Sequence, residues 1–481
     1  MKTIRLFFKT FIILILVLPL TGASSPANTD KTQDILKGKV LSLDEFITRA
    51  CSHDNNFQVI LIDELALQYK KDLSLPSKDL VISLTGQYDF LLSGTGNSGP
   101  ESAISLAKLF PTTGTEVSTS YSITPSNTSS SSSHSVGTLI SQPIARNAFG
   151  KANRLQERII GLENNIAQYQ IVGAYEDYLA SLAALYYQWY ADYGRYETAA
   201  IAHRDNLILL ANVQKRRRSK IALAVDENKV RLQVLSSQGD MLQYRTNYLV
   251  SRQLIYQSID HRESSELIPK LGGYEEVPPL STETSIASAI DAKRTGKILE
   301  LLEKKGKLSV QYYGDALLPS VNLLFGYSWN KSAAYGKSYN RHMAYGGLKL
   351  DYPLGTQTQE AQLGTAKVDL TKTRLTSADN KQKLINSLVN IQRQMVLEEK
   401  LIKEADRRIA LSRAIVKAEA RRYGQARISL DDLISARQTS VENRFYKISH
   451  EVALKTLQVE WLRLTDSLVR PKDLKRPKLS P

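Results

Sequence analysis

The chain is poor in the residues that enzymes, metal sites and disulfide frameworks need. Of its 481 residues one is cysteine, Cys51, and six are histidine. A single cysteine closes no disulfide within a chain, and Cys51 lies in a helical pattern as a small core residue. His53, His134, His203, His261, His342 and His450 are dispersed, with no pair at metal-ligand spacing. No metal or cofactor is therefore expected. Walker loops and nucleophile elbows are missing as well. The run Gly94-Thr95-Gly96-Asn97-Ser98-Gly99 matches the dinucleotide fingerprint letter for letter. That chemistry requires a helix next, and Pro100 in a Ser/Gly-rich stretch opposes one, so the run reads as a loop. With no converging catalytic set, the chain is not expected to be an enzyme. Long apolar runs are also scarce: beyond the N-terminus no stretch approaches the ~20 residues of a membrane-spanning helix.

At the N-terminus, Lys2, Arg5 and Lys9 precede the apolar run Phe11 to Leu18 and the small-residue site Thr21-Gly22-Ala23. This is the pattern of a secretory signal peptide over residues 1–23. Removing those three charges from the formal +15 leaves +12 on the mature chain. Export argues against nucleic acid as the partner of this basicity. The basic residues are scattered except for Lys215-Arg216-Arg217-Arg218 with Lys220, a cluster that reads equally well as a solvated helix face.

What the chain does have is one series of segments that occurs twice. The first copy, residues 24–280 with a linker, holds a helix over Leu43–Leu73 and a strand-like run over 80–92, alternating at Val81, Ser83, Thr85 and Gln87. A second run over 135–142 ends in Gln142-Pro143-Ile144 before a long helical stretch. The second copy, residues 281–468, repeats this with a helix over Ser285–Tyr313 and strands over 318–330 and 342–351. It ends in Tyr352-Pro353-Leu354 and another long helical stretch. Pro143 corresponds to Pro353 and Asp226 to Asp432. Residues 469–481 form a basic, proline-punctuated tail with no readable function.

Spacings of four and three join Leu155, Ile159, Leu162, Ile166, Tyr169 and Gly173, and again Val441, Phe445, Ile448, Val452, Lys455, Val459 and Leu462. That is heptad coiled-coil packing. Arg146 to Lys215 contains no proline, and as one helix it would span on the order of 100 Å. No globular core has that length, so a rod or tube is expected.

The strand-like runs, of about 8 to 13 residues, are long enough to cross a bilayer when tilted. Tyr88, Phe90, Tyr327, Trp329, Tyr345 and Tyr352 near their ends fit an interfacial aromatic girdle. Four strands cannot close a useful barrel, and an open sheet edge cannot face lipid, so several chains must share one. The insert Ser93–His134, rich in Gly, Ser and Thr, reads as an exterior loop at the hairpin end. Within it Ala103–Leu109 and Thr115–Ile123, parted by Pro111 and Gly114, have the length of a further hairpin; the sequence leaves open whether it joins the barrel.

With these features the whole mature chain resembles the TolC-type outer-membrane efflux proteins. The signs are the opening Leu41-Ser42-Leu43-Asp44-Glu45, Leu318-Pro319-Ser320 before a strand, the two strand-to-helix junctions, and the turn segment Arg422 to Ala436 containing Tyr423-Gly424-Gln425-Ala426. The resemblance implies an α+β membrane protein: a homotrimer sharing one transmembrane β-barrel, four strands per chain, continued by a long periplasmic α-helical coiled-coil barrel. It implies a passive outer-membrane exit channel reaching into the periplasm, in a tripartite efflux or type I secretion system. The partners would be outer-membrane lipid, a periplasmic adaptor and an inner-membrane RND, ABC or MFS transporter. The competing readings are the adaptor itself, which predicts one α-hairpin flanked by lipoyl-like β segments, and a structural periplasmic coiled coil, which needs no strand pairs.

By the same resemblance the periplasmic end is closed by a tyrosine-aspartate contact and narrowed by aspartates, which places Tyr423, Asp226 and Asp432 at a gate. A three-fold ring of carboxylates focuses negative potential. Ser435 stands where a second constriction aspartate is usual, Ile428 where an arginine tie is usual, and Lys220 and Ala426 where the turns usually carry glycine. Together with Arg421 and Arg422, the basic residues Arg216, Arg217, Arg218, Lys220 and Arg427 imply a mouth less cation-selective than usual. The alternative for Asp226, Asp431 and Asp432 is helix N-capping, and for Tyr423 a place in the core or an interface.

Overall fold

A computed structural model of the chain describes residues 38–469 apart from 75–78, 91, 94–98, 126–131, 261–265, 274–282, 335–336 and 354. The expected signal peptide, the tail from residue 470 and most of the glycine run at 94–99 lie outside the described residues. Gly99 opens a strand, so the glycine run is not followed by a helix.

Strand β1 (Lys39–Leu41) leads into helices α1 (Leu43–His53) and α2 (Asn55–Ser74), then strands β2 (Leu80–Asp89), β3 (Gly99–Phe110), β4 (Thr115–Pro125) and β5 (Ser132–Pro143). Helices α3 (Lys151–Arg218) and α4 (Ala224–Ser258) follow, then β6 (Leu267–Pro269), α5 (Glu283–Ala292), α6 (Arg294–Asp315), β7 (Ser320–Ala334) and β8 (Lys337–Asp351). The chain closes with α7 (Gln357–Gly424) and α8 (Leu430–Leu464).

Helices α3 and α7 both have 68 residues, and α4 and α8 both have 35. No proline interrupts any of them, so the i→i−4 ladder runs unbroken and α3 and α7 are each about 100 Å long. Near the sheet α3 packs against α2 and α6, and α7 against α6. Towards the far end α4 and α8 fold back along α3 and α7, and α3 also packs on α8. Four helices therefore lie side by side along the whole rod.

Two expected single helices are each broken, and tertiary contacts explain both breaks. The segment Leu43–Leu73 parts at Asp54, whose Oδ1 accepts the Asn56 N–H at 2.9 Å and whose Oδ2 accepts the Tyr178 hydroxyl of α3 at 2.6 Å. The segment Ser285–Tyr313 parts at Lys293, where Asp466 from the end of the chain accepts the Thr295 N–H at 2.8 Å and caps α6. Midway along the rod, β1 pairs in parallel with β6 and covers a core of fully buried Phe46, Tyr186, Tyr187 and Trp189. Cys51 packs, half-buried, against this belt.

Among the described residues the remaining strands form one antiparallel sheet in the order β2-β3-β4-β5-β7-β8. The expectation of four strands per chain is thus corrected to six, because most of the Ser93–His134 insert is strand rather than loop. Its hairpin is held by ten residue pairs between β2 and β3 and nine between β3 and β4. A Ser/Thr-rich segment can be a strand here because only one face of the sheet is apolar. One row across the six strands reads Leu84, Ile104, Tyr121, Val136, Trp329, His342, and the next reads Ser83, Ser105, Ser120, Gly137, Ser328, Met343. Neighbouring residues of a strand point to opposite faces, so these rows sample an apolar face and a polar, small-residue face. Tyr345 is on the polar face, parted from Tyr327 and Trp329 on the apolar face. It pairs with Gly326, where an added Cβ would lie 2.1 Å from the tyrosine ring.

Candidate gate and channel wall

The far end of the rod is formed by two turns of the same construction. After α3, the Lys220 N–H bonds the Arg217 carbonyl and the Ile221 N–H the Arg216 carbonyl, both at 2.9 Å. After α7, Ala426 and Arg427 repeat this with Tyr423 and Arg422 at 3.0 and 2.9 Å. This is the Schellman closure, which demands a left-handed residue. Lys220 and Ala426 adopt it at φ 61° and 57°, at the two positions where the resemblance implies glycine. A left-handed non-glycine residue costs about 1–2 kcal/mol. Lys220→Gly and Ala426→Gly are each expected to stabilise the protein by about 0.5–1 kcal/mol, after the extra chain entropy of glycine is offset. Thermal unfolding of the two variants checks this.

The next helices begin three residues later, and here the acidic residues act as caps. Asp432 Oδ2 accepts the Ser429 N–H at 3.2 Å and its hydroxyl at 2.7 Å, while the Asp432 N–H bonds back to Ser429 Oγ at 3.2 Å. Asp226 Oδ2 accepts the Leu223 N–H at 3.0 Å. Within the protomer both aspartates therefore satisfy free backbone donors at helix N-termini. Asp431 pairs instead with Lys229 at 2.5 Å, joining α8 to α4.

Tyr423 lies half-buried on the cluster formed by Leu209, Val213, Val230, Val234, Leu430 and Leu433. The Arg216 guanidinium stacks 4.7 Å above its ring and donates to the Tyr423 and Gly424 carbonyls at 3.0 and 3.2 Å. One arginine thus ties the end of α3 to the end of α7. Burial raises the Tyr423 hydroxyl pKa, the positive charge of Arg216 opposes this and the negative charge of Asp226 adds to it. Tyr423 and Asp226 are close enough to feel each other, yet among the described residues no hydrogen bond joins them.

Sequence reasoning did not single out Glu227, which is 4% exposed and binds Arg217 and Arg231 at 2.5 Å each and Gln214 at 3.2 Å. The hydrogen bond from Arg217 leads in pulling its pKa down to about 2, with those from Arg231 and Gln214 adding. Its one sequence signal was the i, i+4 spacing to Arg231. Because the folded value lies below the ordinary 4.5, this tie contributes fully above pH 4.5 and is lost as pH falls towards 2. Amide exchange at the α3–α4 turn is expected to accelerate through that window, and Glu227→Gln to remove most of the pH dependence. Of the predicted basic mouth, Arg216 and Arg217 are engaged as described. Arg218, Lys220, Arg421 and Arg427 are exposed, and form no ion pair among the described residues.

At the opposite end of the rod the sheet is locked to the helices. The β3–β4 turn is pinned by Arg154 of α3, which donates to the Thr112 carbonyl at 2.6 Å. Gln142 binds the Thr113 carbonyl at 2.9 Å and the Thr115 hydroxyl at 2.5 Å. Gly114 and Gly150, at φ 71° and 76°, meet so closely that a Cβ on Gly150 would lie 2.6 Å from the Thr112 carbonyl oxygen. Asp315, 3% exposed at the end of α6, accepts the Asn147 N–H at 2.7 Å and pairs with Lys151 at 3.4 Å.

No protein-family model matches the chain, and no curated protein matches it in sequence. Solved structures match it over most of its length. The outer membrane protein VceC from Vibrio cholerae superposes with a TM-score of 0.67 at 10% identity, over 88% of this chain and 95% of that one. The Campylobacter jejuni CmeC outer membrane channel gives 0.66 at 12% identity, over 88% and 85%. The open state of the Neisseria gonorrhoeae MtrE outer membrane channel gives 0.66 at 14% identity, over 91% of each chain. Two 68-residue helices folded back on 35-residue partners, with a two-faced sheet at one end, therefore make this chain a protein with the fold of the TolC-type outer-membrane channels.

Proposed function

We propose that the chain is the outer-membrane exit channel of an export system, passively conducting solutes delivered from an inner-membrane pump through a periplasmic adaptor. The observation that carries this is the sheet. One face is apolar and the other polar and small, and the edge strands β2 and β8 each leave their outer edge unpaired among the described residues. Such a sheet is stable in lipid only when copies of the chain pair edge to edge into a barrel with the apolar face outward. The likeness to solved outer-membrane channels supports the same reading. In it three copies form the barrel, α3, α4, α7 and α8 continue it as a periplasmic tunnel, and the two halves, 24–280 and 281–468, arose by duplication. The equal helix lengths of the two halves support that origin. A structural coiled coil has no use for the sheet, and an adaptor has no need of two long hairpins.

The two turns form the periplasmic gate. Asp226, Tyr423 and Asp432 sit there, and closure across neighbouring copies engages the Tyr423 hydroxyl, which the protomer leaves without a hydrogen bond among the described residues. With Arg218, Lys220, Arg421 and Arg427 exposed beside the capping aspartates, the mouth is only weakly cation-selective.

Planar-bilayer conductance of detergent-extracted protein tests the reading, with a Tyr423→Phe, Asp226→Ala variant beside the wild type. Small, stable unit steps are expected from the wild type and larger ones from the variant, with a small reversal potential in a salt gradient. Equal steps would remove the gate assignment, and a strong cation preference would remove the weakly selective mouth. Absence of steps from a folded, membrane-extracted oligomer would overturn the channel.

A further inference from the structure

We propose that the β3–β4 hairpin is part of the membrane wall, so that the trimer of the reading above, on which this inference rests, closes with eighteen strands. Its bore is then about half as wide again as that of a barrel built from four strands per chain.

The hairpin is continuous with the wall in its ladders, strand length, face alternation and anchorage. Its ladders run without interruption from β2 to β5, and its strands of 12 and 11 residues meet the roughly 9–11 residues that a tilted strand needs to cross a bilayer. Its two faces keep the alternation of their neighbours, with Ile104 and Leu106 in line with Leu84 and Ile82 on the apolar side. Its inner turn is anchored to the first turn of α3 by Arg154 and to β5 by Gln142. A loop folded outside the barrel would have neither the register nor the anchor.

The helices supply an independent measure. Strands about 4.8 Å apart, tilted by about 40°, each occupy about 6.2 Å of circumference. Six strands therefore cover about 37 Å of arc per chain, and four would cover about 25 Å. Four helices side by side, at 8–10 Å between axes, cover about 32–40 Å. The arc of six strands falls within the range of the four-helix rod, and that of four strands falls short of it. For three copies the barrel is about 36 Å across between backbones, against about 24 Å for twelve strands.

The added wall also fixes what the bore accepts. On its inner face the hairpin contributes the small residues Ala103, Ser105 and Ala107 from β3 and Ser118, Ser120 and Ser122 from β4, with Glu101 and Glu116 on the same face towards the two ends. A wide wall whose middle is lined by small side chains does not sieve by size. The outer half of the duct therefore admits bulky solutes, and selection by size falls to the far end of the rod.

Electron micrographs of the full-length protein in lipid nanodiscs, viewed along the axis, test the strand count directly. A barrel near 36 Å in diameter is expected. A barrel near 24 Å overturns the proposal, whether it comes from three copies with the hairpin outside or from two copies with it inside. Polyethylene glycols of graded size, added only on the outer side during conductance recording, supply the second readout. Replacing residues 93–131 with a short turn is expected to lower the size at which polymer stops entering. An unchanged cut-off in that variant would also overturn the proposal. A wide barrel that carries no current would leave the strand count standing and defeat the export reading, while steps through a narrow barrel would do the reverse.

Discussion

Arg294→Met is expected to destabilise the protein by about 3–5 kcal/mol, the cost of leaving buried charges without their partner. Arg294, at the start of α6, donates to Glu176 of α3 and to Asp466 beyond α8, both at 2.7 Å. The side chains of Glu176 and Asp466 are 2% and 5% exposed. Burial raises the Glu176 pKa, and Arg294 leads in opposing this. Without the arginine the two carboxylates face each other in the interior, and the cheapest response is to take up a proton. A carboxyl group whose folded pKa is raised contributes stability that is lost as pH rises. The deficit of the variant should therefore be largest near neutral pH and shrink as pH falls. Adding Glu176→Gln and Asp466→Asn should restore part of the loss. Thermal unfolding in detergent at several pH values checks both statements, and a deficit independent of pH would show that packing, not charge, is at stake.

The second large effect is expected at Tyr186, which is fully buried in the belt. Its hydroxyl lies 2.6 Å from the Leu41 carbonyl and 2.9 Å from that of Lys270, and accepts the Lys270 N–H at 3.1 Å. Its ring meets Trp189 and Tyr187 edge-on at 5.8 and 5.9 Å. Burial pushes its pKa up to about 12, so the hydroxyl keeps its proton and can donate throughout the physiological range. Tyr186→Ala empties a ring-sized volume and should cost about 3–5 kcal/mol. Tyr186→Phe keeps the ring and should cost about 1–3 kcal/mol, the penalty for leaving buried backbone groups without their partner. Unfolding midpoints of the pair separate packing from hydrogen bonding. A phenylalanine variant as stable as the wild type would mean that the two strands of the belt hold without the hydroxyl.

The elements were legible in the sequence to the degree that their determinants are local. Heptad spacing and the absence of proline marked the long helices, and period-2 alternation marked β2. The repeated turn was visible through the correspondence of Asp226 with Asp432. What misled was composition. Ser93–His134 looks like loop because serine and threonine usually signal solvent, yet on a two-faced sheet serine at every second position is the polar half of a strand. The segments Ala103–Leu109 and Thr115–Ile123 showed this length, but nothing local decides whether two strands join a sheet or hang from its end. Tyr345 was grouped with Tyr327 by chemistry and parted from it by register, which only pairing with Gly326 reveals. At the two turns, helix capping by Asp226 and Asp432 is legible in the sequence and is present, whereas the Arg216 bridge joins residues about 200 positions apart.

The sequence by itself therefore determined that this protein is a long helical rod bearing strands with an apolar face, because helix propagation and strand alternation depend on residues a few positions apart. Tertiary structure alone decided that the sheet has six strands, that Asp54 and Asp466 break and cap helices which periodicity would have continued, and that Glu227 and Arg294 hold buried charge networks. Each of these depends on groups brought together from distant parts of the chain. Their free energies come from burial and mutual pairing, which no local pattern of residues encodes.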